Sequence, residues 1–282
     1  MSLWTSVSTI PFQIDYLQAG HPDGIRTRYL QAGDKGDAIV FLHGTGGHLE
    51  AFQQNIAAHA QHFRVFAMDF IGHGYSDKPD RPYEIRDYVK HVLDFCNAKG
   101  LKRIHLSGES LGGWVAAKFA ADYPDRVGKL VLNTAGGLNP EVASSLYELS
   151  IQAVTNPTRE KTRKRLEWLL HDKSLVTEDL VDARYQIYCQ PGFKRAMENI
   201  LTLQNLKIRK RNLLTDKDLR SIVAPTLVVW TDHDPTGAVT VGQRFASTIS
   251  NARLVVLKNS GHWPQYEEAE LFNKLHMDFL SS

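Results

Sequence analysis

The amino-acid sequence predicts an α/β protein: a mostly parallel, eight-stranded sheet with helices on both faces and an inserted all-helical segment. Three observations predict it. Strand-like and helix-like stretches alternate from residue 1 to about 137 and again from 219 to 282. The inner strands are continuous apolar runs, as expected where both faces are buried. From 138 to 218 the alternation stops and only helical patterns remain.

The chain has 282 residues and is 43% hydrophobic, enough for one large α/β core. Its 33 basic and 31 acidic residues nearly cancel, which gives no global field for nucleic acid or a membrane surface. Cys96 and Cys189 lie far apart without metal-ligand spacing, so both are expected as buried thiols in helices. Met1 to Ile10 lacks a basic segment followed by an apolar run, and no stretch has the length of a membrane span. The expectation is a cytoplasmic protein with a small-molecule substrate, no metal and no cofactor.

The elements follow in order. Phe12 to Ala19 and Ile25 to Ala32 form a strand pair around His21-Pro22-Asp23-Gly24. Ala38 to Leu42 is a buried strand that runs into His43-Gly44-Thr45-Gly46-Gly47-His48. The glycines there, Gly44 first, let backbone approach a ligand. A phosphate loop is not expected, because no Gly-Lys-Ser/Thr follows. Leu49 to His62 is helical, Phe63 to Met68 a strand, and Ile85 to Lys99 a helix. Lys102 to Leu106 is the strand that feeds Gly108-Glu109-Ser110-Leu111-Gly112, and a helix runs on to Asp122. Val127 to Asn133 is the next strand. Helical patterns then cover Val142 to Val154, Thr158 to His171, Thr177 to Cys189 and Gly192 to Asn205. The basic runs 163–165 and 207–211 fall within this segment and are expected as solvated helix faces. Pro225 to Thr231, Val239 to Ile249, Ala252 to Leu257 and Pro264 to Leu280 restore the alternation.

The Gly-x-Ser-x-Gly string sits where a strand turns sharply into a helix, the setting of a nucleophile elbow. Ser110 is the candidate nucleophile, and the N–H groups of Leu111 and Thr45 are the candidate oxyanion donors. A serine hydroxyl needs a base, and the base an orienting carboxylate. On such an elbow the acid and then the histidine follow in the chain. His262 lies just past a strand end and is the candidate base. Asp232 and Asp234 both lie in the preceding strand-end loop. Asp234 stands four residues beyond Trp230, with room to clear the sheet edge and turn back. His43, His48, His73 and His233 fall near the same mouth and are expected to play no direct part in the chemistry.

With His43-Gly44, Gly108 to Gly113, Asp234 and Gly261-His262 in this order, the chain resembles the α/β-hydrolase fold family over almost its whole length. The resemblance implies Asp234 as the acid. Within the fold, three stretches are similar to the meta-cleavage-product hydrolases: Tyr123 to Val127 with Ala135 to Leu138, Asp172 to Leu180 with Ala183 to Tyr185, and Ser260 to Glu267. That likeness implies cleavage of a carbon–carbon bond in a vinylogous 2-hydroxy-6-oxo-dienoate. It also implies that Arg184, on the cap, and Trp263 contact the dienoate, and that the protein forms a homodimer or larger homo-oligomer. Two features depart from the family: the glycine loop is short, without the family's asparagine, and Glu109 stands where asparagine is usual. A carboxylate in a carboxylate-binding pocket repels the substrate unless protonated or paired. The runner-up is a carboxylesterase with the same triad. A non-catalytic binding protein is disfavoured by the intact Ser110, Asp234 and His262 set. The expected division is a core of 1–137 and 219–282 with a cap of 138–218.

Overall fold

The computed structural model describes residues 4–20, 24–141 and 144–282. The expectations for the N-terminus, the first hairpin turn and the start of the 142–154 helix fall partly outside those residues. Eight strands form one sheet: β1 (Phe12–Ala19), β2 (Ile25–Ala32), β3 (Ala38–Leu42), β4 (Arg64–Met68), β5 (Ile104–Glu109), β6 (Val127–Asn133), β7 (Thr226–Thr231) and β8 (Ala252–Leu257). Their order is β1-β2-β4-β3-β5-β6-β7-β8. The pairings β1/β2 and β2/β4 are antiparallel, and every later one is parallel. Strand β5 reaches Glu109, three residues beyond the predicted end, so the sheet delivers the chain directly to Ser110.

The pleat sends alternate residues of β3 into two cores. Val40 and Leu42 join the core of α2 (Ile85–Ala98), α3 (Leu111–Asp122) and α10 (Val239–Thr248). Ile39 and Phe41 join the core of α1 (Gln53–Ala60) and α12 (Ala269–Ser281). The predicted last helix is broken at Glu268, after the short α11 (Pro264–Glu267).

Between β6 and β7 the described chain is helical: α4 (Ser144–Val154), α5 (Arg159–Leu169), α6 (Glu178–Tyr188), α7 (Phe193–Ile200), α8 (Leu206–Asn212) and α9 (Asp216–Ser221). Thr158 and Thr177 cap α5 and α6 with their side-chain oxygens. A third apolar cluster joins Leu166 and Leu169 of α5 and Leu180 of α6 to Trp263 and Tyr266. It packs the inserted helices against the loop that carries His262.

Three expectations are corrected. Cys96 is buried, but Cys189 is exposed: it sits at the C-cap of α6, past the residues that face the core. The basic runs are not simply solvated. Arg165 falls on the buried face of α5 with Thr162, Leu166 and Leu169, at helical spacing. Arg209 is buried on α8, where its Nε donates to the Asn139 carbonyl at 2.8 Å. Among the described residues no helix is long and apolar enough to cross a membrane.

Candidate active site

The site starts from a strained backbone. Ser110 has φ 56° and ψ −113°, a conformation that costs a non-glycine residue energy and persists only where its surroundings enforce it. They do so here. The Ser110 N–H donates to the Asn133 carbonyl at 3.0 Å, and its own carbonyl accepts from Trp114 at 3.0 Å and Gly136 at 2.9 Å. Close packing demands the flanking glycines. A Cβ on Gly112 would lie 2.0 Å from the Leu42 carbonyl oxygen, and one on Gly108 would lie 2.2 Å from that of Gly112. The turn therefore packs β5, α3 and the end of β3 at backbone contact and leaves Ser110 partly open.

His262 follows β8 as expected. Its N–H donates to the Leu169 carbonyl at 2.7 Å, at the end of α5. Glu267 holds the same loop: its Oε1 accepts from Gly261 at 2.8 Å, and its Oε2 accepts from His171 at 2.6 Å. The histidine is thus seated jointly by the sheet and the inserted helices. Its Nδ1 lies 2.9 Å from Asp234 Oδ1. Thr236 donates to that oxygen through its N–H and its hydroxyl, both at 2.8 Å, which fixes the carboxylate. Asp232 is exposed, and it is Asp234 that pairs with His262. Thr236 was not foreseen; a hydroxyl two residues past an aspartate is an ordinary turn contact and carries little signal on its own.

The other face of the imidazole meets Glu109. Its Oε1 lies 3.2 Å from His262 Nε2, and both side chains are buried. Gly44 lies beneath that carboxyl, where a Cβ would come 2.5 Å from Oε2. Burial raises the Glu109 pKa above the usual carboxylate range, and the charge on Asp234 adds to this against the opposing pull of His262, Gly44 and Arg184. Burial alone would depress His262, but Asp234 and then Glu109 outweigh it and hold the imidazole above its ordinary value.

Two chambers meet at Ser110. One is lined by Glu109, Arg165, Leu169, His262 and Trp263 beside Gly44 and Thr45. The other runs past Thr45, Leu111, Trp114, Trp230 and Val241. Thr45 and Leu111 line the second chamber together with Ser110. Arg184 is fully buried, with its guanidinium 5.0 Å from the centre of the Trp263 ring. None of its three nitrogens has a hydrogen-bond partner, and it does not line the chamber that Arg165 lines. The helical spacing of Arg165 with Leu166 and Leu169 was the signal that could have found it.

The other four histidines expected near the mouth make contacts away from these chambers. His43 Nε2 accepts from the Phe70 N–H at 3.1 Å, and burial holds its pKa well below the ordinary value. His48 pairs with Glu50 at 2.7 Å. His73 is buried, with Nδ1 3.0 Å from the Ile71 carbonyl. His233 is exposed and stacks on His171 at 3.7 Å. Among the described residues no cluster of His, Cys, Asp and Glu could hold a metal ion.

The chain is also similar to known proteins. The α/β-hydrolase fold family matches residues 37–269. A 2-hydroxy-6-oxononadienedioate/2-hydroxy-6-oxononatrienedioate hydrolase of Burkholderia vietnamiensis is 33% identical over 266 residues, 91% of each chain. A 2-hydroxy-6-oxo-6-phenylhexa-2,4-dienoate hydrolase of Comamonas testosteroni is 32% identical over 268 residues, 89% of this chain and 90% of that one. The solved meta-cleavage product hydrolase of Pseudomonas fluorescens IP01 superposes with a TM-score of 0.85 at 27% identity, covering 96% of this chain and 98% of that one.

Proposed function

We infer the function from one premise: the chain belongs to the α/β-hydrolase fold family and is closely related to the meta-cleavage-product hydrolases. The activity we propose is hydrolysis of a carbon–carbon bond in a 2-hydroxy-6-oxo-2,4-dienoate, with Ser110 as nucleophile, His262 as base and Asp234 as its orienting acid. The observation that carries it is a histidine, held by Asp234 at 2.9 Å, lining the same chamber as an elbow serine.

In this reading the substrate lies across Ser110, between the two chambers. The acidic end enters beside Arg165 and Trp263, and the substituent on C6 lies toward Trp114 and Trp230. Arg184 adds positive charge behind the Trp263 face. The dienol ketonises with His262 moving the proton. His262 then takes the Ser110 proton as the hydroxyl attacks the C6 carbonyl. The Thr45 and Leu111 N–H groups receive the oxyanion; one such donor is worth roughly 3 kcal/mol in comparable sites. The C5–C6 bond breaks, its electron pair passes through C3=C4 to the C2 carbonyl oxygen, that oxygen takes the proton from His262 so that the fragment leaves as a dienol, and water releases the acid from Ser110. The helices between β6 and β7 act as a cap over the site, with the Leu169 carbonyl accepting from the His262 N–H. We place the enzyme in the cytoplasm as a homodimer or larger homo-oligomer.

The Glu109 carboxyl in the polar chamber favours the second reading, a carboxylesterase acting on a small neutral ester. A side-by-side assay separates them: loss of visible absorbance from a coloured ring-fission dienoate against release of p-nitrophenol from a short ester. Preference for the dienoate supports the first reading. Preference for the ester by orders of magnitude overturns it. Arg184→Ala should lose far more activity on the dienoate than on the ester.

A further inference from the structure

The chamber beside Ser110 and His262 is lined by a guanidinium, that of Arg165 on α5. Arg165 is 2% exposed, and no carboxylate among the described residues lies within ion-pair distance of it. Its Nε donates to Ser150 Oγ at 3.0 Å, which fixes the orientation of the fork, while Nη1 has no hydrogen-bond partner. A buried cation left without a counter-ion is held at a cost unless a bound anion meets it. A fixed planar fork suits a carboxylate.

We propose that Arg165 is a carboxylate-binding residue of the Ser110 chamber and sets its preference for anionic substrates. The position lies outside every stretch that carries the resemblance to the meta-cleavage-product hydrolases. Arg184, the arginine that the resemblance singles out, sits over the Trp263 ring and does not line this chamber. Arg165 also answers the conflict posed by Glu109. Its positive charge acts on the same chamber as the Glu109 carboxyl, so an entering anion meets a cation as well as an acid. The proposal rests on the reading above only in taking the substrate to be anionic.

The test is competitive inhibition of p-nitrophenyl ester hydrolysis by hexa-2,4-dienoate, a conjugated carboxylate with no ketone to cleave. In Arg165→Met the inhibition constant should rise tenfold or more relative to any change in KM for the neutral ester, as expected for one lost charge-assisted hydrogen bond. Arg165→Lys keeps the charge but loses the fork and should fall between the two; it carries the test if the methionine variant does not fold. The same rise in a Glu109→Gln background is expected. A rise that vanishes there means Arg165 merely balances Glu109, and overturns the proposal. So does an unchanged inhibition constant, or a wild-type enzyme that hexa-2,4-dienoate does not inhibit. If inhibition depends on Arg165 but no dienoate is cleaved, the carbon–carbon reading falls and the Arg165 site stands.

Discussion

His262 Nε2 lies 3.2 Å from Glu109 Oε1 while Nδ1 lies 2.9 Å from Asp234 Oδ1, so the imidazole is held between two buried carboxylates. Burial and Arg165 act to lower its pKa; Asp234 and Glu109 raise it and prevail. Activity needs the neutral base, so the acid limb of kcat/KM should lie above the ordinary histidine value of about 6.5. Glu109→Gln removes one of the two groups that raise it and should move that limb to lower pH. A pH–rate profile on a neutral ester reads this without titrating the substrate. A limb that stays in place would mean that Glu109 itself carries the proton between the two groups.

The acid is decided by one pairwise comparison. Asp234→Asn should lower kcat by about 10⁴-fold, the loss seen when an orienting aspartate is replaced and the tautomer is wrong. Asp232→Asn, at an exposed turn, should change it little. Labelling by a fluorophosphonate should be stoichiometric in the wild type and absent in Ser110→Ala. Equal losses at both aspartates would contradict the assigned roles.

What was legible in the sequence, and what was not, follows from the range of the forces involved. Ser110, Asp234 and His262 could be found because strand ends are local features and the chain order of the three follows from the topology. Arg165 was hidden because a run of three basic residues was read by composition, whereas burial follows the 3.6-residue period that aligns it with Leu166 and Leu169. Cys189 failed for the opposite reason. It follows the buried Ile187 and Tyr188, but at the helix C-cap its direction is set by the next turn. The contact between Glu109 and His262 joins residues 153 positions apart in sequence, and no local pattern could have announced it.

The elbow makes a prediction about stability as well as rate. An added Cβ at Gly112 meets the Leu42 carbonyl oxygen at 2.0 Å, and that oxygen belongs to a central strand. Neither partner can yield without moving β3 or α3. Gly112→Ala should therefore cost more than the 1–3 kcal/mol typical of overpacked side chains, on the order of 4 kcal/mol. Urea unfolding measures it directly. A loss below about 1 kcal/mol would show that the turn has slack, and would weaken the case that packing enforces the Ser110 conformation.

The last prediction concerns acid. His91 Nδ1 accepts from the Ile71 N–H at 3.0 Å, and its Nε2 lies 2.7 Å from Thr27 Oγ1, whose own proton goes to the Ile25 carbonyl. The network thus demands the neutral ring, and burial pushes its pKa down to about 3. His73 is likewise held at about 3 and His59 at about 4. The unfolded chain takes up protons first, near pH 6.5, so this stabilisation is whole above that value and is lost as pH falls toward 3. His262, with a raised pKa, acts in the opposite sense and loses its contribution as pH rises. From pH 6.5 to 5, His91 alone should account for about 2 kcal/mol of lost stability. His91→Gln, which can still accept from Ile71 and donate to Thr27, should start less stable but fall less over that interval in urea unfolding. The same fall in both proteins would show that His91 takes up its proton without breaking the network, and that the acid sensitivity lies elsewhere.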